Sequence, residues 1–232
     1  MHLKELAIDP SDCDHRGEVT LTALADHLQD AANEAASKLG ASVPQILPHG
    51  FTWMLVKYRM RADRLPRSGE TIALSTWHFP HGRLYSLRAF ELHSGGTRIV
   101  RADSAWVLVD LKRRKPFQIE KGLPFLFEEK NPPIPFEFEK VQPCGEGPWT
   151  SSLGVEESDM DENGHVNHVR YLDWAVATLP PDWLASRTLR GFDAEFHGES
   201  RFGEVLETVA RQEGETNAGF ACLHGILRPA DG

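Results

Sequence analysis

The sequence predicts an α+β protein made of two similar halves, each a long helix wrapped by an antiparallel sheet. Three observations carry this. First, a short segment occurs twice: Ser11-Asp12-Cys13-Asp14-His15-Arg16-Gly17-Glu18-Val19 and Ser158-Asp159-Met160-Asp161-Glu162-Asn163-Gly164-His165-Val166 share Ser, Asp, Asp, Gly and Val at a constant offset. Second, each copy is followed by apolar residues three and four apart, the mark of a helix with one buried face. Third, runs of alternating apolar and polar residues, rich in aromatic and β-branched types, follow each helix and read as strands.

Taken in order, Leu3–Ile8 is a short apolar segment. The first helix runs from about Leu21 to Leu39, with Leu24, Leu28, Ala31 and Ala35 on its apolar side and Gly40 as its stop. Strands follow over Phe51–Met60, Thr71–Trp77, Leu84–Leu92 and Thr97–Val109, the last two joined across Ser94-Gly95-Gly96. The segment Pro116–Pro148 holds Pro132-Pro133, Pro135, Pro143 and Gly145 and reads as an extended linker lying on the surface. The second helix carries Val169, Leu172, Val176 and Leu179 and is closed by Pro180-Pro181. Strands over Leu189–His197, Val205–Gln212 and Ala218–Leu227 complete the chain. The domain division is therefore 1–115, a linker over 116–148, and 149–232. The second half shows no counterpart of the Thr97–Val109 strand: either its sheet lacks a last strand or the sequence stops short of one, and either would leave an exposed edge.

Composition excludes several classes. A chain of 232 residues can bury a sizeable core, and 41% hydrophobic with 25% charged residues is ordinary for a globular protein. A net charge of −9 argues against nucleic-acid binding. No signal peptide opens the chain and no apolar run is long enough to span a bilayer, so a cytoplasmic protein is expected. Cys13, Cys144 and Cys222 have no metal-site spacing and read as free thiols in a reducing compartment.

Chemistry concentrates in the second copy of the repeat. Asp161, Asn163 and His165 place a carboxylate, a carboxamide and an imidazole at alternate positions where a loop becomes a helix. Free backbone N–H groups and the positive dipole end of that helix are expected there, suited to a developing oxyanion. Plainer readings compete. Asn163-Gly164 is a turn signal. The spacing from Asp159 matches the start of a calcium loop, but the twelfth position is Arg170 where a bidentate Glu is required, so calcium is rejected. His165 and His168 lack a third ligand nearby, so no metal is expected.

The order of elements and two motifs resemble the acyl-ACP thioesterases. The motifs are Asp161-x-Asn163-x-His165-Val166-Asn167 and Glu195-Phe196-His197-Gly198-Glu199-Ser200, and the likeness covers essentially the whole chain. The resemblance implies a tandem hotdog fold. It implies hydrolysis of a fatty acyl thioester on acyl carrier protein, with neither metal nor organic cofactor. Two departures stand out: His168 replaces an Asn of the family's motif, and Ser200 replaces its Cys. With no thiol at 200, Glu199 becomes the candidate that activates water. His165 orients the water or shuttles the proton, since imidazole titrates near neutrality. Asn163 holds the carbonyl or the water. Asp161 accepts hydrogen bonds and fixes Asn163 and the helix N-terminus, with a simple N-terminal cap as its plain alternative. A solvated turn glutamate and a surface histidine are the unremarkable fates of Glu199 and His165.

In the first half the matching positions are Arg16, Glu18 and Leu65, so one active site is expected, in the second half. The first half then supplies the acyl pocket, with Trp53 and Leu55 as lining candidates and Ser200 as a substrate contact beside the chemistry. Ordinary core is the plain alternative for Trp53 and Leu55. The carrier is acidic and this chain is too, so docking needs a local basic surface. Lys112-Arg113-Arg114-Lys115 is one candidate; Lys57, Arg59 and Arg61 with Arg64 and Arg67 form the other. An acyl-CoA thioesterase, a hotdog hydratase or dehydratase, and a non-catalytic acyl-binding protein are the rival readings. Oligomeric state is left open between monomer and homodimer.

Overall fold

The structure is a computed structural model and describes residues 1–127, 130–135, 137–161, 164–216 and 219–229. In chain order the strands and helices are β1 (His2–Ala7), α1 (Leu21–Lys38), α2 (Val43–Ile46), β2 (Phe51–Ala62), β3 (Thr71–His81), β4 (Tyr85–Ser94), β5 (Thr97–Asp110), β6 (Lys115–Phe117), α3 (Ile119–Gly122), β7 (Trp149–Gly154), α4 (His168–Ala177), α5 (Pro181–Ala185), β8 (Gly191–Glu195), β9 (Val205–Thr216) and β10 (Gly219–Leu227). They group into two compact units. One takes in residues 1–139 with 190–196; the other takes in 140–189 and the stretch from 197 on.

In the first unit the strands run in the order β1-β3-β4-β5-β2-β8, with β6 beside β5. Thr20 caps α1 by accepting from the Ala23 N–H, and Leu24, Ala25, Leu28 and Ala31 on its inner side are fully buried. Gly40 follows in the left-handed conformation that ends a helix, as its position predicts. The strand read over Leu189–His197 is β8. It pairs with β2, not with the strands that follow it in sequence. Charge explains the partner: Lys57 lies opposite Glu195 and pairs with it at 2.7 Å, and Arg61 pairs with Asp193.

β2 does not alternate evenly along its length. Its pairing with β5 slips between Leu55 and Lys57, inserting Val56 as a bulge. Before the slip Phe51, Trp53 and Leu55 match Asp110, Leu108 and Trp106; after it Tyr58 and Met60 match Ser104 and Ala102. The bulge thus keeps all five on one face although their numbering changes parity. Val56 goes to the opposite face and packs with Trp77, Leu87, Ala89 and Ala105.

The segment read as an extended linker packing on the surface lies with the first unit as far as residue 139. Ile119, Leu123 and Leu126 are buried against Ala41, Ile46 and Leu108. Farther on, Ile134 is buried over Trp77 and Leu87. The Trp77 indole N–H donates to the Pro132 carbonyl at 3.0 Å and Arg59 donates to the Glu137 carbonyl at 2.6 Å. An extended strap is favourable here because its carbonyls satisfy donors that the sheet's outer face leaves over.

The second unit has a three-stranded sheet in the order β10-β9-β7. Among the described residues β10 and β7 are the edge strands of this sheet. Val155, Val166 and Leu206 form its buried cluster, with Tyr171 and Trp174 of α4 packed on it. α4 ends at Ala177 with Thr178 as its cap, short of Leu179 and of Pro180-Pro181; Pro181 instead opens α5, where a proline at the first position costs no hydrogen bond.

Gly191 supplies a test of the β2–β8 contact. A Cβ there would sit 2.2 Å from the Met60 carbonyl oxygen, whereas one on Gly145 meets nothing within 4 Å. Gly191→Ala should lower the free energy of unfolding by about 1–3 kcal/mol, the usual cost of overpacking. Gly145→Ala should lie within about 0.5 kcal/mol of wild type, as open surface sites do. Denaturant melts of both variants check this; equal stability would contradict the close approach.

Candidate active site

The two copies of the repeat fold into the same hydrogen-bonded loop. In the first, Asp14 N–H donates to Glu18 O (2.8 Å), Gly17 N–H to Asp14 O (2.9 Å), Val19 N–H to Pro66 O (2.9 Å) and Thr20 N–H to Asp12 O (2.9 Å). In the second, Asp161 N–H donates to His165 O (2.8 Å), Gly164 N–H to Asp161 O (3.1 Å), Val166 N–H to Ser200 O (3.0 Å) and Asn167 N–H to Asp159 O (2.8 Å). Gly17 and Gly164 both take a positive φ, which closes the turn without a Cβ clash. The duplication thus extends from residue identity to individual backbone bonds.

What the two loops present differs. In the second, His165 Nε2 lies 3.0 Å from Glu199 Oε2, and both side chains are partly open to solvent, 28% and 40% exposed. In the first, Glu18 sits at the histidine position and pairs with Arg67, Arg16 pairs with Asp14, and Leu65 is buried at the Glu199 position. The first copy thus has no counterpart of the His165–Glu199 contact; its Asp12 instead meets His27 of α1 at 2.9 Å.

The Val166–Ser200 bond is what brings the pair together, because Val166 follows His165 and Ser200 follows Glu199. A second tie comes from α4: the Ser200 N–H donates to the Tyr171 hydroxyl at 3.2 Å, with Tyr171 braced edge-on against Trp174. Arg228 completes the clamp by donating to the Glu199 carbonyl while pairing with the Glu204 carboxylate at 3.2 Å. Sequence reasoning missed Tyr171 and Arg228. The only signal was Tyr171 on the helix that follows the motif; nothing marks Arg228 near the end of a strand.

Asp161 accepts from the His165 N–H at 3.2 Å, as Asp14 accepts from the Arg16 and Glu18 N–H groups. That bond holds the turn, while the N-cap of α4 is Asn167 and not Asp161. Ser200 is buried and engages through its main chain on both sides. Asn163 lies outside the described residues. The expectation of free N–H groups at the helix start does not hold at Val169, whose N–H is taken by the Asn167 side chain at 3.1 Å. Asn167 is an N-cap residue, so it satisfies a donor that an anion would otherwise find. Asp159 secures the loop from beneath, accepting from Arg170 at 2.8 Å and from the Glu156 N–H at 2.8 Å.

Trp53 and Leu55 belong to the first unit. The Trp53 indole N–H donates to the Ala41 carbonyl at 2.9 Å and the ring packs on the Ile46–Leu108 cluster; Leu55 is buried. Among the described residues, no three His, Cys, Asp or Glu side chains converge as a ligand set. His168 begins α4, and burial pushes its pKa down to about 4 against a weaker upward pull from Asp161.

Two helix-and-sheet units, each entered through the same repeated loop, define a tandem hotdog protein. The comparisons name the family. The acyl-ACP thioesterase N-terminal domain matches residues 1–124 and the C-terminal domain of the same family matches residues 146–231, so the chain belongs to the acyl-ACP thioesterase family. An acyl-[acyl-carrier-protein] hydrolase of Cuphea viscosissima, described as chloroplastic, is 24% identical over 228 residues, covering 92% of this chain and 54% of the relative. The chain thus spans about half the length of the curated relatives it matches. An acyl-ACP thioesterase from Bacteroides thetaiotaomicron has a TM-score of 0.82 at 24% identity, over 97% of this chain and 96% of that one. A 12:0-ACP thioesterase from Umbellularia californica has a TM-score of 0.88 at 20% identity, over 99% and 89%. Both likenesses carry the fold. No helix among the described residues is long and apolar enough to cross a membrane.

His168 makes a pH prediction. Its folded pKa, about 4, lies below its ordinary value of 6.5. Above pH 6.5 both states are neutral and the shift has no effect. As pH falls from 6.5 towards 4 the unfolded chain takes up a proton that the folded one refuses, and stability is lost. The loss is at most about 1.4 kcal/mol per pH unit for each such group. His78, pushed down to about 4 by burial, Arg88 and the amino terminus, acts in the same window. Glu70, held near 2 chiefly by Arg64, acts only below about 4.5. Thermal melts of wild type should fall between pH 7 and pH 4.5, and His168→Asn should flatten that fall. An identical pH dependence in the variant would contradict the assignment.

Proposed function

We propose that the chain is an acyl-ACP thioesterase, hydrolysing a fatty acyl thioester on acyl carrier protein to free fatty acid and carrier thiol. The observation that carries this is the 3.0 Å His165–Glu199 contact on a loop whose first-half twin has lost both groups. Thioester hydrolysis needs an activated water, a polarised carbonyl and a proton for the departing sulfur. Glu199 takes a proton as the water oxygen attacks the carbonyl carbon. His165, within hydrogen-bond reach of Glu199, orients that water and relays the proton to the sulfur as the C–S bond breaks. Asn163 donates its amide to the carbonyl oxygen, and Asp161 holds the loop. The scheme uses no metal, cofactor or cysteine nucleophile, and it suits a cytoplasmic enzyme. The first unit supplies the acyl pocket, with Trp53 and Leu55 on the sheet face that also carries Tyr58 and Met60.

His165→Ala and Glu199→Ala should each lower kcat by at least about a hundredfold in a thiol-release assay, the usual size for a lost acid–base group. Ser200→Ala should stay active, because the Ser200 contacts to Val166 and Tyr171 can run through its main chain. Activity within a few-fold of wild type in folded His165→Ala or Glu199→Ala would overturn the assignment. Water addition to an enoyl thioester without thiol release would favour a hydratase.

Carrier docking narrows to one of the two basic stretches. Lys57, Arg59, Arg61, Arg64 and Arg67 are paired with Glu195, Asp103, Asp193, Glu70 and Glu18 respectively. Lys112 to Lys115 stand exposed at the β5–β6 turn, where Arg113 is 3.8 Å from Asp110. A positive surface steers an acidic carrier only if its charge is not already neutralised. Reversing Arg113 and Arg114 to Glu should raise KM for acyl-ACP and weaken its salt dependence, leaving a carrier-free short acyl thioester unchanged. Unchanged acyl-ACP kinetics would move docking elsewhere or favour an acyl-CoA substrate.

A further inference from the structure

The helix-covered face of the first unit's sheet is polar where a core should be apolar. Thr76 is the register partner of His2, and His2 reaches Glu34 of α1 at 3.0 Å, so the Thr76 face is the one α1 covers. Along that face the register aligns His78, Arg88, Ser104 and Tyr58 across β3, β4, β5 and β2. Thr76 lies one row away, and Trp53 and Leu55 continue the same face along β2. All of the aligned side chains are buried.

Arg88 is the exceptional member. Burial lowers its pKa only to about 10, so the guanidinium is charged at neutral pH. Its hydrogen bond among the described residues runs from Nη1 to Thr76 Oγ1 at 3.2 Å, and Thr76 Oγ1 in turn donates to the Ala89 carbonyl. No carboxylate among the described residues pairs with it. On the opposite face the chain behaves normally: Arg59 and Arg101 both engage the buried Asp103. His78, opposite Arg88, is 4% exposed, and neither of its ring nitrogens has a partner. Its main chain is held by Asn131, whose amide donates to the His78 carbonyl at 3.1 Å. Proteins rarely bury a charge without a counter-charge or an imidazole without a partner. A guanidinium with its fork unused beside a neutral imidazole matches the planar, two-oxygen geometry of a carboxylate.

We propose that Arg88 and His78 form a buried subsite for a carboxylate, with Thr76 positioning the guanidinium, on the sheet face that also carries Trp53 and Leu55. Resting on the thioesterase reading, its occupant is the distal carboxylate of an acyl chain. A free carboxylic acid is the other source of the same chemistry.

The test compares octanoyl and octanedioyl thioesters on one carrier, in wild type and in Arg88→Met, which keeps the volume and removes the charge. The ratio of kcat/KM for the octanedioyl over the octanoyl substrate should fall about tenfold or more in the variant, the size of a lost charged hydrogen bond. Arg88→Lys, which keeps charge without the fork, should show a smaller fall and covers the case in which Arg88→Met does not fold. Melting temperature in millimolar suberate or octanoate forms the second arm. If the ratio is unmoved but either acid raises the melting temperature of wild type and not of the variant, the subsite stands and takes a free carboxylate. If no thioester is cleaved and suberate still stabilises wild type alone, the subsite stands and the thioesterase reading fails. If thioesters are cleaved, the ratio is unmoved and neither acid shifts the melt, the subsite is overturned.

Discussion

One backbone hydrogen bond, from the Val166 N–H to the Ser200 carbonyl, fixes the geometry on which the proposed chemistry depends. Each partner is the neighbour of a functional residue, so joining them sets His165 against Glu199. Side chains alone would hold such a pair poorly, since long rotamers are costly to order. The structure transfers the task to main chain and braces it. Tyr171 ties the Ser200 N–H to α4, Arg228 engages the Glu199 carbonyl, and Asp161 closes the turn on the His165 N–H. For the proposed chemistry, a contact built this way is preorganised.

The same scaffold in the first half shows what remains when the chemistry is removed. Its loop bonds match those of the second half one for one, yet Glu18 is committed to Arg67 and Leu65 is buried. The backbone geometry is thus a structural solution for entering a helix from a loop, and chemistry is an addition to it. The two helices also differ: α1 runs over 18 residues and α4 over 10. The longer helix covers the larger sheet, and that covered face holds both the proposed pocket candidates and the buried Arg88–His78 pair.

Much of this was legible in the sequence because repetition doubles the signal. The offset between the two Asp-x-x-Gly loops, the helix-spaced leucines and the stop at Gly40 each rest on local physics that tertiary contacts did not override. The His165–Glu199 meeting was legible only through family likeness, since no spacing rule joins residues so far apart. Other features were hidden for identifiable reasons. The Val56 bulge breaks the even alternation read over Phe51–Met60, changing its parity between Leu55 and Lys57. The pairing of β8 with β2 depends on cross-strand charges that no single strand displays. The basic stretch from Lys57 to Arg67 looked free because its carboxylate partners lie in other elements. The proline-rich linker looked like surface because Ile134 and Phe138 are isolated apolar residues whose partner, the outer face of the sheet, is invisible in one dimension. The Asn167 cap was in plain view but was read as part of the motif.

The claim that His165 and Glu199 act as one unit is tested most directly by a double-mutant cycle. The quantity is kcat/KM for one acyl thioester in wild type, the two single alanine variants and the double variant. If the two groups share one proton path, the double variant should be about as slow as the slower single one, because either loss already breaks the path. Losses that multiply, so that the double variant is slower by the product of the two single effects, would mean that the residues act independently and would contradict the account.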